Sequence, residues 1–184
     1  MDIVLNTETH AARRAVTRTI RIDADIEEHL KKLASAERLS VNALINNSLR
    51  RLVEWEIYAE KFGSVTFPTP LVKKIIDSVP DEKILEIGEG PGKDFIKEFV
   101  QYRYNTLSAS NVLRAIDTIG STYGRAFHAE YGTEGHKHVL ILNHDKGLKW
   151  SMFHSALLTS IFKAIGIEVK TDVTEHQVIA RMQF

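Results

Sequence analysis

One alternating segment, Thr17-Arg18-Thr19-Ile20-Arg21-Ile22-Asp23, stands alone ahead of a series of helical patterns. Thr17, Thr19 and Arg21 alternate with Arg18, Ile20 and Ile22, the period of a strand with one wet face. A lone strand cannot make a sheet. Two helices follow it, so the unit is strand, helix, helix in roughly 45 residues, too few to bury its own apolar faces. Such a unit has to borrow a partner.

The helices are written in the spacing of apolar residues. Ile26, Leu30, Leu33 and Ala34 share one helical face, with Asp23 or Asp25 placed to cap its start. Arg38 and Leu39 make a turn, and Ser40 is an N-cap for a second helix. That helix carries Val41, Leu44, Ile45, Leu49, Leu52 and Val53 on one stripe and stops near Gly63.

The stretch RTIRIDADIEEHLKKLASAERLSVNALINNSLRRLVE resembles the ribbon-helix-helix DNA-binding domains of the Arc and MetJ type. The resemblance lies in the basic residue ahead of the last apolar strand position, in the S-V-N-A-L-I opening of the second helix, and in the spacing from Arg21 to Ser40. It implies a β-α-α fold in an intertwined homodimer whose two-stranded ribbon enters the major groove of double-stranded DNA. It also implies that Thr17, Thr19 and Arg21 touch base edges, where Arg suits the guanine O6/N7 edge and Thr the thymine methyl. Ile20, Ile22, Ile26, Leu30, Leu33, Leu44, Ile45 and Leu49 would form the dimer core. Ser40, Val41 and Asn42, at a helix N-terminus, would hold a phosphate. Arg13, Arg14 and Arg18 would follow the DNA backbone, although the position of Arg18 is usually apolar in this family.

Charge fits that reading. Net charge is zero over 184 residues, yet residues 1–22 hold Arg13, Arg14, Arg18 and Arg21 against only Asp2 and Glu8. The front end is basic inside a neutral chain. Residues 1–15 read as a flexible basic arm, 16–62 as the DNA-binding and dimerisation domain, and 63–70, with two of the four prolines, as a linker.

Residues 71–184 read as an α+β domain of helices followed by β-β-α-β-β. LVKKIIDSV, DEKILEIGEGPGKDFIKEFVQY and LSASNVLRAIDTIGSTYG are helical, the second interrupted at Gly-Pro-Gly. RAFHAEY and HKHVLILNH look like strands around Gly132–Gly135, a register that sets His138 opposite Ala129 and Glu130 opposite Lys137. Val139–Leu142 is apolar on both faces, as in a central strand. Trp150, Phe153, Leu157 and Ile161 line the helix before the last two strands. The layout, with NHDKGLKWSMFHSALLTSIFKAIG, is similar to the sensor domains of the haem-nitric-oxide-binding and vinyl-reductase-like group. That likeness implies a regulatory or dimerising module with room for a small-molecule effector, and it does not imply haem.

Other motifs point to no chemistry. GEGPGK is not a phosphate loop, because Ile87 and Asp94 stand where glycine and Ser/Thr are required. His136, His138 and His144 share strand parity and are the metal-ligand candidates, without a cysteine or HExxH motif beside them; structural roles outweigh a metal, and no cofactor is expected. Ser151, Ser155, His154 and Asp145 lie close in sequence but lack a nucleophile elbow, so no enzyme is expected. With no cysteine and no run of about 18 apolar residues, a cytoplasmic protein off the membrane is expected. The sequence thus points to a homodimeric, sequence-specific DNA-binding transcription regulator. The alternative is a ligand- or protein-binding module, antitoxin-like among others, that uses the N-terminal unit mainly to dimerise.

Overall fold

A computed structural model describes residues 16–184. The chain divides between Ile57 and Tyr58 into two compact units, and its architecture is helices followed by an α+β body with a four-stranded antiparallel sheet.

In the first unit, α1 (Ala24–Glu37) and α2 (Val41–Arg51) form a hairpin, and a wide π-helical turn (Leu52–Glu56) continues α2. Arg38 closes α1 in the left-handed region at φ 56°, with its own N–H on Ser35 O and that of Leu39 on Ala34 O. Ser40 then opens α2, its Oγ accepting the Ala43 N–H at 3.0 Å.

The ribbon-helix-helix expectation is corrected here. Residues 16–23 form no strand, and the β-α-α unit of an intertwined dimer is not what the described residues make. The reason is the one its isolation suggested. Every described strand belongs to the C-terminal sheet, and none pairs with residues 17–22, so their backbone groups have no ladder to join. Alternation gave the segment strand chemistry without a strand partner. The basic arm, residues 1–15, lies outside the described residues.

The second unit begins with α3 (Ile57–Lys61, of which Tyr58 onward belongs here), stopped by Gly63 at φ 63°. Then come α4 (Thr69–Asp77), α5 (Asp81–Ile87), a π-helical turn (Gly88–Gly92), α6 (Lys93–Tyr104) and α7 (Ala109–Ile116), with a further π-helical stretch (Asp117–Tyr123). Strands β1 (His128–Glu134) and β2 (Lys137–Asn143) precede α8 (Leu148–Lys163), and β3 (Val169–Val173) and β4 (Gln177–Met182) follow it. The spatial order is β1-β2-β4-β3, all antiparallel, so β2 and β4 are central.

Period two decides which side is core. Leu140, Leu142, Val178, Ala180 and Met182 point one way and are buried, on the side where Ser155 of α8 bonds Thr171 at 2.7 Å and Tyr131 donates to Leu113 O of α7. The opposite face carries a polar net. Arg181 bridges Glu134 and Asp172, while Gln177 donates to Asn143 and Asn143 to Glu130, each at 2.8 Å.

Two local expectations differ from the structure. The β1–β2 hairpin turns on two residues, Gly135 and His136, pairing Ala129 with Leu142, His138 with Thr133 and Glu134 with Lys137. Gly135 sits at φ 63°, the first-position glycine that tight hairpins favour. The shift from the expected register is even, so every side chain keeps its face. The Gly-Pro-Gly site does not break the helix either. The wide turn accommodates Pro91, which lacks an N–H, and keeps the helix going. A Cβ on Gly88 would stand 2.5 Å from Phe153 O and 2.9 Å from Ala156 Cβ, so glycine here lets α8 come close. Ser160 Oγ fixes that contact by donating to Glu89 O at 3.0 Å.

Candidate functional site

The residues expected to meet DNA are open to solvent. Thr17, Arg18, Thr19 and Arg21 are exposed in the irregular segment ahead of α1; Ser40 and Asn42 are exposed and Val41 half-buried at the start of α2. The first N–H groups of a helix have no intrahelical acceptor, and Ser40 occupies only that of Ala43. Arg13 and Arg14 lie outside the described residues.

Electrostatics separates the cations of this unit into two sets. Lys31, Lys32, Arg50 and Arg51 each meet a glutamate of their own helix or its continuation: Glu27, Glu28, Glu54 and Glu56, at 2.6 to 3.5 Å. Arg18 and Arg21, and Arg38 at the turn after α1, have no ion pair among the described residues. The helix faces are self-neutralised and the leading segment is not.

The residues expected in a dimer core are not buried within one chain. Ala34 is the one buried residue of α1, and α2 has none. Ile22, Leu30, Leu44 and Ile45 are half-buried, while Ile20, Ile26, Leu33 and Leu49 are exposed, as are Leu52 and Ile57. The exposed six range from 46% to 59% accessible, a large apolar area for so small a unit.

The histidines are dispersed. His136 is in the hairpin turn, His138 stacks on Phe184 with ring centroids 4.6 Å apart, and His144 lies past the far end of β2. Six residues of strand separate His138 from His144 by roughly 20 Å, too far to share an ion. Among the described residues no group of three or more His, Cys, Asp or Glu could hold a metal.

A buried polar cluster beneath the sheet end joins residues that the sequence offered separately, His144 as a metal-ligand candidate and Asp145, Ser151 and His154 as near neighbours. His144 Nδ1 accepts the Lys146 N–H at 3.2 Å, and its Nε2 lies 2.8 Å from Ser151 Oγ. Ser151, fully buried, donates its own proton to Thr174 O at 2.6 Å. Lys146, also buried, donates to Arg125 O at 3.2 Å and pairs with Asp145 at 3.3 Å, holding that carboxyl below its ordinary range. One turn along α8, His154 Nδ1 donates to Trp150 O at 2.9 Å inside a ring of Phe127, Trp150 and Phe153. Burial, helped by the charge of Lys146, pushes both His144 and His154 down to about 4. What the sequence did not show is the bond between His144 and Ser151, seven residues apart across a strand-to-helix turn.

Among the described residues no helix is long and apolar enough to cross a membrane. Comparison with protein-family models, with curated proteins and with solved structures returned no match.

Proposed function

We propose that the protein is a sequence-specific DNA-binding regulator of transcription that acts as a homodimer. The observation that carries the reading is the pair of exposed arginines, Arg18 and Arg21, which have no acidic partner among the described residues while Lys31, Lys32, Arg50 and Arg51 are each paired with a glutamate. Guanidinium groups left free in this way suit phosphate and the guanine edge. Thr17 and Thr19 alternate with them, and the opening of α2 supplies backbone N–H groups for a phosphate. Arg13 and Arg14 raise the positive charge of the same stretch. The proposal rests on these exposed side chains and needs no strand in residues 17–22.

The exposed apolar residues of α1 and α2 support the second copy. A fully buried Leu or Ile side chain is worth about 1.5–3 kcal/mol, and these are left about half open. The α+β unit is the regulatory and supporting body. Titration of labelled duplex with full-length protein tests the reading: binding that weakens steeply with salt supports it, and no binding at low salt removes it.

The same apolar exposure favours a second reading, in which the N-terminal unit serves only to pair chains or to bind another protein. A dimer that forms normally and ignores duplex DNA would select that reading.

A further inference from the structure

A cavity of about 280 Å³ lies where the start of α8 meets the end of α4, a size suited to a metabolite rather than to a larger ligand. Its walls include Lys73, Asp77, Lys149, Glu175, Leu148 and Met152. The charges are not equivalent. Lys149 is committed to the fold, donating to the carbonyls of Asp77 (3.0 Å) and Val79 and facing Asp81 at 3.4 Å. The carboxylates of Asp77 and Glu175 and the ammonium of Lys73 have no ion pair among the described residues. Lys73 and Asp77 are four apart on α4, in the base-before-acid order that pairs less well, and no ion pair joins them.

Gly147, also in the wall, adopts φ 90°, a backbone conformation that favours glycine at the entry to α8. The uncommitted groups are therefore one ammonium and two carboxylates around a wall of Leu148 and Met152, a residual charge of minus one. A dicarboxylate would meet two unpaired carboxylates. A simple diamine would leave the Lys73 ammonium facing a cation. A molecule with one carboxylate, two ammonium groups and a methylene stem matches every group at once.

We propose that this cavity binds a basic α-amino acid. Lys73 takes the carboxylate, Asp77 and Glu175 take the two ammonium groups, and Leu148 and Met152 lie along the stem. No residue named here belongs to the N-terminal unit, so this inference stands or falls apart from the DNA-binding reading.

Isothermal titration of the full chain with L-lysine, putrescine and succinate tests it, without DNA present. Saturable binding of L-lysine at one site per chain, tighter than either control, is expected. Lys73→Met and Glu175→Gln, both at exposed positions, should each weaken L-lysine about tenfold. Lys73→Met should leave putrescine bound at least as well as before. No saturable heat with L-lysine at millimolar concentration, or equal affinity in all three proteins, overturns the proposal.

Discussion

His144 Nε2 lies 2.8 Å from Ser151 Oγ, and the bond runs from the histidine to the serine. Nδ1 already accepts a proton from the Lys146 backbone, so in the neutral ring Nε2 carries the hydrogen, and Ser151 passes its own to Thr174 O. That is the reverse of a serine activated by a histidine base, in which the hydroxyl donates to the ring. The pair ties the end of β2, the start of α8 and the loop after β3 together. Ser151→Ala leaves a ring N–H and a carbonyl without their partner and should cost about 1–3 kcal/mol in urea unfolding. A neutral effect would mean that the cluster is not holding these elements.

The second histidine sets a pH dependence. His154 is neutral in the fold, with its value pushed from 6.5 to about 4 by burial. The unfolded chain takes up that proton as pH falls through 6.5, while the native chain waits until about 4, so stability drops across this window and levels off below it. For His154 alone the loss is about 3 kcal/mol, and His144 acts in the same direction. The drop should shrink by about that amount in His154→Phe, measured by urea midpoints from pH 6.5 to 4. Equal pH profiles for the two proteins would contradict the assignment.

Glycines at the wide turn divide by what stands opposite them. Gly88→Ala pushes a methyl into Phe153 O and Ala156 and should destabilise by about 1–3 kcal/mol. Gly90, two residues on, has nothing within 4 Å of a Cβ, and Gly90→Ala should be neutral or stabilising by about 0.5–1 kcal/mol. Thermal unfolding of the two variants checks the contrast.

The open apolar side of α1 and α2 sets the association state. Leu33→Glu and Leu49→Glu place a carboxylate where a second copy is proposed to sit, and each should weaken dimerisation at least about tenfold. Sedimentation equilibrium reads this directly. Unchanged association in both would show that the helices leave that surface to water.

What was legible in the sequence follows how local each cause is. The stripe Ile26, Leu30, Leu33, the Ser40 cap and the Gly63 stop are decided within a turn or two of chain, and each stands in the structure. So does the central place of Val139–Leu142 between β1 and β4, although Val139 and Ile141 are half-buried on the face that carries the polar net. Residues 17–22 misled because alternation reports the faces of a strand and not the presence of a neighbour to pair with. Gly-Pro-Gly read as a break because what packs on that turn lies some 65 residues further along the chain: a Cβ on Gly92 would stand 3.1 Å from Leu157 and 3.2 Å from the Phe153 ring. The His144–Ser151 bond and the Lys73 cavity were illegible for the same reason: each is made by chain reversals that bring distant polar groups together.

Sequence-specific DNA recognition, as proposed, turns on Arg21. Selection of bound duplexes from a randomised pool by the full-length protein, repeated with Arg21→Ala, tests it most directly. The expected result is an enriched, two-fold-symmetric sequence, as a dimer requires, and a cost of about 1–3 kcal/mol with blurred preference at a guanine when Arg21 is removed. Enrichment of no sequence by the unaltered protein, or an identical motif and affinity from Arg21→Ala, would contradict it.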